Sequence, residues 1–246
     1  MTNTIEAIAS DLAYAGNLRY FLEKARVATQ VHLAHLANAD QDDPLARSVL
    51  PDLVAIEDRI EGLIKQAFTD DPIWSRVWTH WAHGVKGAGR MVLGAVMSRA
   101  DIARLDTVSS MWAHYGLAPG QKREAGKRID FDPVGRTWAW RLARQLMMAN
   151  GAFKTVYDQR KEYEESRVAV VVSAKRGVKV PDGAMTALHI HNRAVRYMLK
   201  RFMACLWLEW RTAARLPTSD LYIIGHDNAA GHLHSRVYQP QEYVER

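Results

Sequence analysis

Apolar residues recur at three- and four-residue steps along most of this chain, the periodicity of helices that bury one face. Ile5, Ile8, Leu12 and Ala15, then Leu18, Phe21, Leu22 and Ala25, predict a helix over residues 4–37. Residues 38–44 break the pattern, and Asp43 before Pro44 suits an N-cap followed by the first helical position. Val49, Leu53, Ile56, Ile60, Leu63 and Ala67 then alternate steps of four and three, the spacing of a coiled-coil seam. The run covers only about three heptads, short for an isolated coil. Its helix is therefore expected to pair with the first helix or with a second chain. Leu53, Ile56, Ile60 and Leu63 are the candidate dimer seam, although a helix packed on its own domain carries the same pattern.

Asp71-Pro72 marks another helix start, and Trp74, Trp78 and Trp81 follow on one face, as core residues would. Met91, Val92, Leu93, Ala95 and Val96 predict an apolar helix. Thr107 can cap a helix over 108–115, with Gly116 as its C-terminal stop. Farther on, Trp138, Leu142 and Leu146 share a face. Residues 157–167 are charged and read as a helix end. Runs at 168–172 and 178–180 flank residues 173–177 and predict a β-hairpin. A long helix spans 184–215, with Val195, Met198, Leu199, Phe202, Leu206 and Trp210 as its core face; the tail beyond is loop-rich. The expected fold is mainly α: a helical, coiled-coil arm over 1–71 and a globular domain over 72–246 with one minor β-hairpin.

Charge adds an expected partner. The chain of 246 residues has a formal net charge of +6, which favours an anionic ligand. Its single cysteine, Cys205, excludes an intramolecular disulfide and any multi-cysteine zinc site, and its apolar helical setting predicts a small buried residue. No continuous apolar segment predicts a leader or a membrane span, so a reducing bacterial-type cytoplasm is expected. His80 and His83 lack an acidic or cysteine partner, and His232 and His234 lack a third ligand. No metal site and no cofactor are therefore expected.

The candidate chemistry lies between Trp78 and Arg144. The glycine-rich segment over 84–89 opens onto the apolar helix at Arg90. Glycines let backbone N–H groups approach phosphate closely, so Lys86, Gly87, Gly89 and Arg90 are the DNA-contact candidates. The loop over 120–135 and the turn after it carry Lys122, Arg123, Lys127, Arg128 and Arg136, beside the acidic Glu124, Asp130 and Asp132. A solvated connector could look the same. The helix that follows favours nucleic acid: Trp140, Arg141 and Arg144 place cations beside aromatics, which suits phosphate contact and stacking on unpaired bases. His189, Arg193, Arg196 and Lys200 form a second stripe on the long helix at steps of four, three and four. The cations of the loop and its helix, Trp140, and Arg193, Arg196 and Lys200 of the stripe are the RNA-binding candidates.

From about Trp81 to Trp210 the chain resembles the C-terminal region of bridge-RNA-guided insertion-element recombinases. The resemblance rests on the glycine hairpin before an apolar helix, Gly116-Leu117-Ala118-Pro119, Gly126-Lys127-Arg128-Ile129, Gly135-Arg136 with its arginine-rich helix, and the later AVRYMLKRFMACLW. That region is in turn similar to the Nop domain of box C/D guide-RNA proteins, a helical RNA clamp preceded by a coiled coil, whose glycine-basic turn into an Arg/Ala/Leu helix GRTWAWRLARQL resembles. The recombinases carry an acidic RuvC-like domain where this chain has two helices. They also place a nucleophilic serine after the Gly-Leu-x-Pro turn, whereas no serine occurs between Met111 and Glu165, and Ala125 stands nearest that position. The resemblance thus implies no catalytic residues. It points to the compact, nuclease-free proteins of TIGR-Tas systems, in which a Nop-like protein uses a guide RNA to find DNA. The implied partners are a structured guide RNA, target DNA, a second copy of the chain and a nuclease recruited from elsewhere. A transposase-derived enzyme and a guide-free helix-hairpin-helix DNA-binding protein are the competing readings.

Overall fold

A computed structural model describes residues 2–121, 125–171, 180–226 and 233–245. The fold is mainly α. In chain order it comprises α1 (Thr2–Asn38), α2 (Pro44–Asp70), α3 (Pro72–His80), α4 (Arg90–Met97), α5 (Val108–His114), α6 (Pro133–Met148), α7 (Ala152–Arg167), β1 (Ala169–Val171), β2 (Ala184–Thr186), α8 (Ala187–Ala213), β3 (Leu221–His226) and β4 (Leu233–Tyr238). It divides into two compact units, residues 1–75 with 90–101 and residues 76–89 with 102–246. The first unit takes in α4 as well as α1 and α2.

In the first unit α1 and α2 run side by side. Asp43 caps α2 by accepting from the Ala46 N–H at 2.9 Å, with Pro44 in the first turn. The seam between the helices differs from the predicted one. Leu53 is half-buried, and Glu57, Ile60, Ile64 and Ala67 are buried, while Ile56 and Leu63 face solvent. The two ladders share Leu53, Ile60 and Ala67, and the observed one is rotated at its other rungs. A buried ion network drives that choice. Arg19 of α1 contacts Glu57 at 2.8 Å and Glu61 at 2.7 Å, and Arg26 reaches Glu57 at 2.6 Å. A carboxylate partnered by two guanidiniums tolerates burial where an isolated one would not. Of the four candidate seam residues, Ile60 is buried within this chain and Leu53 half-buried.

In the second unit α8 is the central element, apolar on the side that Val195, Met198, Leu199, Phe202, Leu206 and Trp210 were expected to bury; all six are buried. Trp138, Leu142 and Leu146 of α6 and Phe153 of α7 are buried in the same unit. Trp81 is fully buried and donates its indole N–H to the Pro240 carbonyl at 3.0 Å. Tyr243 stacks on Phe153 with ring centroids 4.6 Å apart. The strands are minor. β1 pairs in parallel with β2, through Ala169–Ala184 to Val171–Thr186, and the expected partner strand over 178–180 lies, but for Val180, outside the described residues. The proposed turn at 173–177 lies outside the described residues. Among the described residues the antiparallel pair is β3 with β4, in the tail expected to be loop-rich. Tyr222, Ile223 and Ile224 supply the aromatic and β-branched run that such pairing favours.

Candidate nucleic-acid interface

The site begins at the end of α5. A capping box between Thr107 and Ser110 starts this helix, and Gly116 stops it with φ +65°, a left-handed conformation that costs glycine little. The Leu117 N–H then bonds back to the Trp112 carbonyl at 2.7 Å. The described residues 117–121 and 125–131 belong to a connection that closes when the Asp132 N–H donates to the His114 carbonyl at 2.9 Å. Asp132 also caps α6, accepting from the Val134 N–H at 3.0 Å, with Pro133 at its start.

This closure fixes Arg136. Its guanidinium lies over the Phe131 ring, 5.1 Å from the centroid. A Cβ on Gly116 would stand 2.9 Å from Arg136 Nη1 and 2.8 Å from Phe131 Cδ2. The glycine therefore makes room for both side chains. Arg136 and Trp140, one turn apart on α6, form one wall of a groove of about 510 Å³ whose other wall is His189, Asn192, Arg193 and Arg196 of α8. Two stretches separated by some fifty residues in sequence thus meet, and four of the candidate RNA-contact residues, Arg136, Trp140, Arg193 and Arg196, line the groove. Lys200 follows Arg196 by one turn and holds its Nζ 3.8 Å from the Trp112 ring centroid.

The cations are not equivalent. Arg193 Nε bonds to the buried Glu164 at 3.1 Å, and Glu164 also pairs with Arg160. Arg136, Arg196 and Lys200 have no carboxylate partner among the described residues. Burial, and then the charge of Arg196, hold both the Arg136 guanidinium and the Lys200 ammonium below their ordinary pKa values.

No protein-family model, curated protein or solved structure matches the chain.

The remaining candidates are placed as follows. Lys127 and Arg128 are exposed and line a depression of about 510 Å³ with Pro119, Gly120, Gln121, Ile129 and Asp130. Lys122 and Arg123 lie outside the described residues. Arg141 is half-buried over the Trp138 ring at 4.6 Å, and Arg144 is exposed one turn beyond Trp140. The glycine segment has a different use from the one anticipated for it. Gly87 has φ +89°, and a Cβ there would meet the Gln145 carbonyl oxygen at 2.7 Å and Leu146 Cα at 2.8 Å. Its close approach is thus to the backbone of α6. Lys86 pairs with Glu245 at 2.5 Å, and the Glu245 carboxylate also accepts from the Ala152 N–H at 2.9 Å. Gly89 and Arg90 are exposed, and Arg90 opens α4 in the other unit. Cys205 is fully buried, and burial pushes its thiol well above the ordinary range, as an inert core residue requires. Among the described residues no group of three His, Cys, Asp or Glu side chains could hold a metal ion, and no helix is long and apolar enough to cross a membrane.

Asn192, Trp112 and Phe131 belong to the site but were not singled out from the sequence. Asn192 had a usable signal, since it precedes Arg196 by one helical turn. Trp112 and Phe131 had none, because their roles depend on where the loop closes.

Proposed function

We propose that this protein is a guide-RNA-binding scaffold of an RNA-guided DNA-targeting system, Nop-like in its second unit and without a nuclease of its own. One observation carries the reading: the basic, aromatic start of α6 and the basic stripe of α8 converge on a single groove, with Arg136, Trp140 and Arg196 in it. Cations beside an accessible indole suit unpaired nucleotides better than the regular surface of a duplex. Lys127 and Arg128 extend the cationic surface along the loop, and Arg144 extends it along α6. The guide-free alternative needs the glycine segment to receive phosphates, and there Gly87 packs on protein while Lys86 is paired with Glu245. The expectation of no catalysis rests on the missing serine and on Asp132, whose carboxylate is committed to capping α6.

The scaffold is proposed to act as a homodimer. Its surface is the exposed row Leu45, Val49, Ile56 and Leu63, which falls on one face of α2. Target DNA and a recruited nuclease complete the proposed set of partners, with the cytoplasm as the compartment.

Sequencing the nucleic acid that copurifies with the protein from cells tests the reading. One structured RNA species, retained through a nuclease-free purification, is the expected result. Protein that carries no RNA and binds only duplex DNA would overturn it in favour of the guide-free alternative.

A further inference from the structure

The groove between α6 and α8 offers more than a basic surface. Arg193 is committed: it donates to Glu164 at 3.1 Å and to Met185 Sδ at 3.6 Å. Arg136 and Arg196 instead line the groove with no carboxylate between them among the described residues. Each lies in the other's field, partly withdrawn from water, an arrangement that costs energy until an anion occupies it. Planar guanidinium forks match the oxygens of a phosphate. Trp140 completes the wall, half-buried and without a ring or cation partner among the described residues. About 510 Å³ is the scale of a small-molecule pocket, and a base pair held within a double helix does not enter such a volume.

We infer that this groove takes one unpaired nucleotide of a nucleic-acid strand, with the phosphodiester between Arg136 and Arg196 and the base stacked on Trp140. The inference deepens the nucleic-acid reading above and rests on it. It divides the labour within the α8 stripe. Arg196 meets the phosphate. Lys200, held over Trp112, contributes its field to the same anion. Arg193 is a positioning residue that ties α8 to α7 through Glu164.

The test measures binding of a labelled single strand of about twelve uridines, the matching DNA strand and a short RNA duplex, across a salt series. Arg136→Gln and Arg196→Gln are each expected to weaken the single strands, and together to flatten the slope of log affinity against log salt by about 0.7, the value for one phosphate. Trp140→Leu is expected to weaken both single strands by about tenfold with the slope unchanged, because stacking releases no counterion. Trp140→Phe should restore most of that loss, and the duplex should not distinguish Trp140→Leu from the parent. Lys161→Ala, on α7, serves as the comparison for a lost surface charge, and helical circular dichroism checks each variant's fold. Folded Arg196→Gln and Trp140→Leu proteins that bind single strands like the parent would overturn the inference, as would an equal loss on the duplex. The two readings fail separately. Protein that carries no guide RNA but loses single-stranded DNA through these variants keeps the site and removes the guide-RNA function. Protein whose guide RNA binds regardless of these variants does the reverse.

Discussion

Trp112 and Lys200 hold each other twice. The indole N–H donates to the Lys200 carbonyl at 3.0 Å, and the Lys200 ammonium sits 3.8 Å from the centre of the same ring. The pair joins α5 to α8 and aims a cation along the groove side of the unit. Trp112→Phe keeps an aromatic face and removes the hydrogen bond. It should lower the stability of the second unit by about 1 kcal/mol, read in urea unfolding. It should also weaken RNA binding, because Lys200 loses its anchored backbone. Unchanged stability would show that the indole bond contributes nothing net.

Gly116 is expected to resist substitution for two independent reasons. Its φ of +65° disfavours any side chain, and its missing Cβ leaves space for Arg136 and Phe131. Gly116→Ala should cost about 1–2 kcal/mol from the backbone alone. It should also reduce RNA affinity by moving the guanidinium. A destabilised variant with full RNA affinity would separate the two effects and remove Arg136 from the interface.

The loop gives a parallel measurement. Lys127 and Arg128 are exposed, so replacing both with Ala should leave the helical circular dichroism unchanged. If both contact phosphates, guide-RNA binding should weaken and the salt slope should flatten by roughly 1.5 units. An unchanged slope would confine the interface to the groove.

The arm should be sensitive to acid. Burial pushes the Glu61 carboxyl up, but hydrogen bonds from Arg19 and Lys65 outweigh that and hold it below its ordinary value of 4.5. A lowered folded-state pKa stabilises the fold above the unfolded-state value, and the stabilisation is lost as pH falls through the folded one. Arm helicity, followed at fixed urea, should therefore decline as pH drops below about 4.5. Glu61→Gln should be less stable at neutral pH and should show less of that decline. A variant with the parent's acid profile would assign the sensitivity to other carboxylates.

Dimerisation and arm folding should respond to different faces of α2. Ile56→Asp with Leu63→Asp is expected to give monomers in light scattering while the arm stays helical, since both side chains face solvent. Ile60→Asp buries an unpaired charge and should destabilise the arm itself, by about 3 kcal/mol or more. A dimer that survives the double substitution would place the contact elsewhere.

The helices were legible because their signals are local. Asp43-Pro44, Thr107 and Gly116 act where the sequence places them, and the core face of α8 follows directly from its spacing. Asp132-Pro133 repeats the Asp43-Pro44 signal and starts α6 in the same way, although in the sequence Asp132 stands out only as one of the acidic residues among the cations of the loop. Apolar spacing on α2 offers two ladders that share rungs and cannot say which of them faces α1; Ile56 and Leu63 lie off the face that does. The choice depends on Arg19, which lies thirty-eight residues before Glu57 and has no apolar signature. The groove was half legible. Its two basic stripes stand out in the sequence, but their meeting does not, because it depends on a loop closed by the Asp132 N–H and the His114 carbonyl.

The two ladders on α2 have a kinetic meaning. Adjacent positions on a helix point about 100° apart, so Glu57 and Ile64 can hold α1 while Ile56 and Leu63 remain presented. A second copy could then dock on a preformed rail without first prising the hairpin open. Assembly through that row would proceed at the pace of collision and orientation rather than of local unfolding. It would be second order in protein and nearly indifferent to how firmly α1 and α2 are zipped.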